Sequence, residues 1–319
     1  MPFNPKKFIE EAVKEVKEKV GDGKAIIAVS GGVDSTVTAV LMSRALGERC
    51  VSVFVDTGYM RKNEPETIKE VAGKAGLNLR FIDAREEYYA ALKGVSEPER
   101  KRKIIGERFI RIFERIAKEE KAEFLGQGTL APDWIESGSG LRATIKSHHN
   151  VGGLPKEMNL RLVEPVRELY KDEVRQVGKE LGMPPEVYNR QPFPGPGLAI
   201  RIMGEATREK AEIVREACAI VEEELEKAAT EGKMKIPWQY FAVLLPVRTV
   251  GVLGDARAYG YTVAVRAVES FDGMTAKACH VPPDVLERIS DRITRSLKEK
   301  VNRVVYDVTS KPPGTIEWE

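Results

Sequence analysis

Cysteine, histidine and charge of one sign are what this chain has least of. Its three cysteines, Cys50, Cys218 and Cys279, form no Cys-x-x-Cys pair and no metal-ligand spacing. That excludes a disulfide framework and reads as reduced, intracellular thiols. With 51 basic against 49 acidic residues the net charge is +2, so bulk charge gives no reason to expect a nucleic-acid partner. No run approaches the ~20 apolar residues of a membrane span. The opening MPFNPKKFIEE lacks the apolar core of a signal peptide. Internal repeats and low-complexity tracts are absent as well. The expectation is a cytoplasmic protein with no membrane and no nucleic-acid partner. Its 319 residues, 42% of them apolar, suffice for one large or two ordinary domains with a real core.

What is present is organised around Ala25–Leu41. Ala25–Val29 is a short, fully apolar run of the kind buried in a parallel sheet. Ser30-Gly31-Gly32-Val33-Asp34-Ser35 is a turn of small residues, and Thr36–Leu46 is apolar nearly all round, as a helix packed on a sheet would be. Strand, Gly-rich turn and helix make the geometry of a phosphate cradle. Glycines let the backbone pass close to a ligand, and the N–H groups of the first helical turn face an anion. Ser30 and Ser35 add hydroxyl donors. Asp34 is an acceptor where a phosphate binder wants donors, which makes sense if it orders the loop or meets a Mg2+ bridging phosphate oxygens. No Gly-Lys-Ser/Thr follows, so this is not a Walker A loop.

The remaining elements alternate. Asn4-Pro5 starts a helix whose buried stripe is expected at Phe8, Ala12, Val16 and Val20. Cys50–Val55 is a second strand ending in Asp56, where ligands of open α/β sheets bind and where a helix cap would also sit. Helix Glu66–Gly76, strand Leu77–Ile82, the charged amphipathic helix Glu97–Glu120 and strand Ala122–Gly126 follow. Beyond them lies a Gly-containing loop, in which Asp133 and Glu136 would share a face if the segment is one helical turn. Thr144–Pro155 then holds His148 and His149, two of only three histidines. Adjacent side chains rarely bind one metal, so a polar, Gly-flanked lid fits better.

Lys171–Leu181 reads as a helix, and Arg190-Gln191-Pro192-Phe193-Pro194-Gly195-Pro196-Gly197 as the clearest boundary, because prolines and glycines at that density cannot lie inside an element. After it, Leu198–Met203, Tyr240–Leu245, Tyr261–Val268 and Arg303–Val308 read as strands, and Thr207–Lys227 and Pro283–Leu297 as helices. This suggests an α+β domain around one small sheet, modest enough in size to pair with a second copy. The tail KPPGTIEWE is stiffened by prolines and carries a Trp, unlike a frayed end.

The string SGGVDS resembles the pyrophosphate loop of the N-type ATP pyrophosphatases. GQGTLAPDWIES, TIKSHHNVGGLP, QPFPGPGLAIR, GDARAY and KPPGTIEWE, in this order and spacing, are similar to the GMP synthetase family, and within it to the ATP pyrophosphatase subunit of the two-subunit, archaeal type. The resemblance covers Val29 to Glu319. It implies an α/β parallel-sheet pyrophosphatase domain over 1–190 and a smaller α+β dimerisation and XMP-binding domain over 191–319. It implies ATP-dependent amination of xanthosine monophosphate (XMP) to GMP through an adenyl-XMP intermediate, with release of AMP and pyrophosphate. By the family pattern, Ser30, Gly31, Gly32, Val33, Asp34, Ser35 and Asp56 hold ATP and its pyrophosphate, with Mg2+ at Asp34. Asp133, Glu136 and Lys146 fall on the lid motif and serve intermediate formation and closure. Arg102, Lys311, Ile316 and Glu317 recognise XMP.

Fused members carry a glutaminase with a Cys-His-Glu triad ahead of the phosphate loop. Here the 29 residues before Ser30 hold neither Cys nor His. The expected partners are therefore ATP, XMP, ammonia, a separate glutaminase subunit and a second copy of the chain. Two other readings stay open. One is a tRNA-modifying pyrophosphatase, against which the neutral charge and missing Cys pair count. The other is a non-catalytic adenine-nucleotide sensor, against which the intact motifs count.

Overall fold

The structure is a computed structural model and describes residues 3–131, 160–271 and 273–319. In chain order the elements begin with α1 (Pro5–Val20), β1 (Ala25–Ala28), α2 (Val33–Leu46), β2 (Cys50–Asp56), α3 (Glu64–Ala75) and β3 (Asn78–Asp83). Next come α4 (Arg85–Ala91), α5 (Pro98–Glu120), β4 (Phe124–Gly126), β5 (Arg161–Val163), α6 (Lys171–Glu180) and α7 (Pro185–Tyr188). The rest are α8 (Arg208–Thr230), β6 (Gln239–Leu253), β7 (Ala256–Glu269), β8 (Lys277–Ala278), α9 (Pro283–Ser296) and β9 (Val301–Tyr306). They form two compact units. One is Met1–Asp56, Asn63–Ala84 and Ile105–Gly195; the other is Thr57–Lys62, Arg85–Ile104 and Pro196–Glu319.

The first unit is built on a five-stranded sheet of order β3-β2-β1-β4-β5 with every neighbour parallel. β1 and β2 are buried on both faces, as uninterrupted apolar runs must be. The chain winds from β1 out to β3 and then returns to the other side of β1, so the strand order reverses between β1 and β4. That reversal opens the crevice where ligands of such sheets bind. α1 starts where Asn4 Oδ1 accepts the Lys7 N–H at 3.1 Å, with Pro5 in the first turn, and stops at Gly21, whose φ is 57°. Its buried stripe is Ile9, Ala12, Val16 and Val20. Phe8, expected in that stripe, is only half-buried and packs on the edge of the cluster that Ile9 enters. α2 is buried almost all round, including Thr36 and Thr38. Their hydroxyls donate to Gly32 O at 2.8 Å and Asp34 O at 2.7 Å, so neither is buried without a partner.

The second unit holds a four-stranded sheet. β6 and β7 form a long antiparallel hairpin, β8 pairs antiparallel with β7, and β9 pairs parallel with it. α8 packs on β6 and on α9. This is the expected α+β arrangement, with two corrections. Leu198–Met203 is not a strand. Gly197–Arg201 is a turn of 3-10 helix, and only Ile202 bridges to Leu244. Gly197 has φ 64°, a Cβ there would stand 2.4 Å from Tyr59 O, and Leu198 N–H donates to that oxygen at 2.8 Å. A buried apolar run shorter than a helix reads the same in either conformation. The second correction is that β6 and β7 extend well past Leu245 and before Tyr261, meeting at the turn Gly254-Asp255.

Among the described residues no helix is long and apolar enough to cross a membrane.

Candidate active site

The loop after β1 carries the first candidate site. Gly31 has φ 81°, a left-handed conformation that only glycine adopts without strain. Ser30 N–H donates to Ser35 Oγ at 3.2 Å, the two hydroxyl oxygens are 3.0 Å apart, and Ser35 O–H reaches Gly32 O at 3.1 Å. Gly32 N–H lies 3.4 Å from Ser30 Oγ. The loop is thus closed on itself by its own hydrogen bonds. Gly32 is the N-cap of α2 and brings no side chain to cap the first turn, so among the described residues the positive end of that helix carries no side-chain cap. Val33 is buried; what it offers a ligand is its main chain.

Asp34 stands in the first turn of α2. Its Oδ2 accepts from the Nζ of Lys171, the first residue of α6, while its Oδ1 is buried with no hydrogen-bond partner among the described residues. A buried, unpartnered carboxylate oxygen beside a phosphate cradle fits a hard cation held jointly with phosphate oxygens. Among the described residues no group of three His, Cys, Asp or Glu could hold a metal by itself. Gly128, in the loop after β4, lies against this turn: a Cβ on it would come within 3.0 Å of Asp34 C and O. Asp56 ends β2 and is buried, with its carbonyl accepting the Ala84 N–H at 2.9 Å. Ala28 pairs with Val53, so Ser30, just past β1, and Asp56, the last residue of β2, lie at the carboxyl ends of adjacent strands.

Asp133, Glu136 and Lys146 lie outside the described residues.

The second unit places the other expected residues along the tail. Glu317 is gripped by Arg201, Nε to Oε2 at 3.0 Å and Nη2 to Oε1 at 2.7 Å, and Gln239 Nε2 adds a bond to Oε1 at 2.9 Å. Arg201 is 1% exposed and stacks on Phe241 at 4.0 Å. Burial works against its charge, Glu317 more than restores it, and its pKa stands above the ordinary value. Ile316 is buried. Arg102 donates to Glu319 O, and the neighbouring Lys101, fully buried, donates to Ile202 O at 2.7 Å and to the Glu319 carboxylate. Desolvation lowers the Lys101 pKa, and Glu319 offsets part of that. Lys311 sits further along, with Nζ on Gly273 O at 2.8 Å and its main chain paired to Ala276. Arg266, wholly buried, anchors the segment through Thr315 O at 3.0 Å, Ile316 O at 3.4 Å and Asp307 at 3.2 Å. The structure brings Arg102 and Glu317 to one docked tail and seats Lys311 on the loop before β8. Lys171, Arg201, Gln239 and Arg266 went unnoticed in the sequence. Each acts across a long chain separation, for which no periodicity or spacing gives a signal.

An all-parallel α/β sheet whose first strand runs through a Ser-Gly-Gly-Val-Asp-Ser turn into a helix N-terminus defines a nucleotide-binding protein of the ATP pyrophosphatase class. Residues 5–111 match the family described as NAD synthase, and residues 223–318 that described as GMP synthase C terminal domain. The chain is 62% identical over 318 residues to the B-type subunit of the glutamine-hydrolyzing GMP synthase of Methanopyrus kandleri, covering 99% of this chain and 100% of the relative. It is 62% identical over 313 residues to the protein of the same name from Thermococcus kodakarensis, covering 98% of this chain and 99% of that one. It is also 57% identical over 315 residues to the glutamine-hydrolyzing GMP synthase of Thermotoga petrophila, covering 98% of this chain and 62% of that longer relative. The chain belongs to the family of B-type GMP synthase subunits. The resemblance drawn from the sequence motifs is borne out.

Proposed function

We propose that the chain is the synthetase subunit that aminates XMP to GMP. The observation that carries this reading is the self-closed Ser30–Ser35 loop at the strand-order reversal, in a chain that matches its B-type relatives from end to end. The oxygen on carbon 2 of XMP attacks the α-phosphorus of ATP. The bond from that phosphorus to the bridging oxygen breaks, and pyrophosphate leaves with the electron pair. Ammonia then adds to carbon 2, loses a proton, and AMP departs with the oxygen.

Negative charge builds on the departing pyrophosphate, so donors aimed there before the reaction lower the barrier. The main-chain N–H groups at the N-terminus of α2 are those donors, and Gly32 N–H and the Ser30 and Ser35 hydroxyls join them by exchanging their bonds within the loop for bonds to phosphate. Bound Mg2+ supplies further neutralisation of phosphate charge, and Asp34 would hold it together with those phosphates. Asp56 faces the nucleotide from the end of β2. Asp133, Glu136 and Lys146 act on the intermediate and in lid closure. XMP is recognised by Arg102, Lys311, Ile316 and Glu317, with Glu317 oriented by Arg201. Functionally the chain divides into an ATP pyrophosphatase domain, 1–190, and an XMP-binding and dimerisation domain, 191–319. The relatives' name, one of the lettered subunits of a glutamine-hydrolyzing enzyme, supports a separate glutaminase that delivers ammonia. The protein works in the cytoplasm as a homodimer.

The test is pyrophosphate and GMP release from the purified chain with Mg-ATP, XMP and ammonium, omitting one component at a time. GMP that requires all of them is expected. Pyrophosphate formed with XMP but without GMP would place the defect in ammonia delivery. ATP binding with no response to XMP would overturn the reading.

A further inference from the structure

The Pro/Gly-rich segment that opens at Arg190 has no part in the function so far, yet its first residue reaches the phosphate loop. Arg190 Nη1 donates to Glu64 Oε1 at 2.8 Å and to Gly31 O at 3.4 Å. Glu64, the first residue of α3, has no exposed side chain, and Arg190 is only 19% exposed. The carboxylate lies directly behind the loop: a Cβ on Gly31 would stand 2.2 Å from Glu64 Oε1.

Two consequences follow from elementary geometry and charge. In a trans peptide the C=O and the following N–H point in opposite directions. A donor that holds Gly31 O on the protein side therefore turns the Gly32 N–H the other way, toward Ser30 Oγ and the uncapped end of α2. A buried carboxylate behind an anion site also repels the anion, and in a medium of low dielectric that repulsion is felt. The Arg190 guanidinium cancels it where it arises, and a planar fork does so while still directing an N–H at the main chain.

We propose that Arg190 is a positioning residue for the leaving pyrophosphate. Oriented by Glu64, it fixes the Gly31-Gly32 peptide so that its N–H faces the departing charge, and it neutralises Glu64 behind the loop. This rests on the reading of Ser30–Ser35 as the pyrophosphate cradle.

The experiment uses the full chain with ammonium as nitrogen source. It compares Arg190→Lys, Arg190→Gln and the double variant Glu64→Gln with Arg190→Gln, with Ser35→Ala as a control on the cradle. The readouts are the inhibition constant of inorganic pyrophosphate, KM for ATP, KM for XMP and thermal stability. Arg190→Gln should weaken pyrophosphate inhibition and raise KM for ATP by about tenfold, the scale of one charge-assisted hydrogen bond, with KM for XMP unmoved. Added guanidinium ion should restore part of the loss, and Arg190→Lys should fall in between. The double variant removes both charges together, so it stays informative if Arg190→Gln does not fold, and the same loss of pyrophosphate inhibition is expected of it. If the Arg190 variants keep wild-type pyrophosphate inhibition while Ser35→Ala loses it, the positioning role is wrong. If Ser35→Ala keeps it as well, the cradle reading fails and takes this proposal with it.

Discussion

Gly31 is the residue at which backbone geometry and chemistry meet. Its φ of 81° excludes a side chain on conformational grounds, and Glu64 Oε1, 2.2 Å from an added Cβ, excludes it on steric grounds. Gly31→Ala should therefore cost about 1–3 kcal/mol and raise KM for ATP, which thermal unfolding and initial rates together will show. A variant as stable and active as the parent would mean that the loop does not adopt this turn. Asp34 separates two roles in the same loop. Its Oδ2 is tied to Lys171 and its Oδ1 has no partner among the described residues, while Asp34→Asn keeps the shape and removes the charge. It should shift the Mg2+ concentration that supports half-maximal rate upward by about tenfold or more, with little change in Tm; an unchanged Mg2+ titration would assign Asp34 to ordering the loop alone. The turn Ser30 to Ser35 was legible in the sequence because strand, small-residue turn and helix are consecutive there, and the place of Asp56 was legible because it closes the apolar run of β2. Lys171, Glu64 and Arg190 were not, because each reaches the loop from a distant segment, and sequence order carries no trace of that proximity.

At the scale of elements, α8 and α9 are joined by two carboxylates of α8, Glu223, which accepts from Arg292 at 2.5 Å, and the more buried Glu224. Glu224 on α8 accepts from Arg288 at 3.0 Å and Arg292 at 2.8 Å, both on α9. Burial pushes its pKa up, the two guanidinium groups pull it down further, and the net displacement is below the ordinary 4.5. A depressed carboxylate stabilises the fold in full above its unfolded pKa and loses that contribution as pH falls through the folded one. Glu224→Gln should thus lower stability at neutral pH by about 1–2 kcal/mol, since both arginines are partly exposed. The gap to the parent should narrow below about pH 4.5; a gap independent of pH would mean that packing rather than charge joins the helices. The helices themselves were legible, as α8 and α9 have clear apolar faces. The core strands of the first unit were legible too, because burial on both faces demands unbroken apolar runs. The outer half of the β6–β7 hairpin was not. In VRTVGVLGDARAYG apolar and polar residues stand on a ribbon exposed on one face, and two glycines, Gly251 and Gly260, give no strand signal. They instead make room for Asn302, whose side-chain atoms would lie about 3 Å from a Cβ on either.

The whole molecule inherits a consequence from that ribbon. Asn302 covers the face that Gly251 and Gly260 leave open, while the opposite face carries Val250 paired with Tyr259, 48% and 61% exposed, and Val252 at 80%. Apolar side chains of this size, contiguous on one face, are what a monomer avoids and an association surface uses. The homodimer of the proposed function would seat a second copy of the chain there. A two-fold contact places the same patch against itself, the net charge of +2 offers no long-range repulsion between copies, and Arg257 beside Val252 gives the patch a polar rim. Val250→Glu with Tyr259→Glu puts like charges face to face across such an axis and touches neither the phosphate loop nor the tail. The parent should sediment as a dimer at micromolar concentration and the double variant as a monomer, with its melting transition kept. A parent that sediments as a monomer, or a double variant that stays dimeric, would remove this face from the assembly. If the monomeric variant also raises KM for XMP and leaves KM for ATP unchanged, the second copy supports the nucleotide end of the reaction that Arg102 and Glu317 serve.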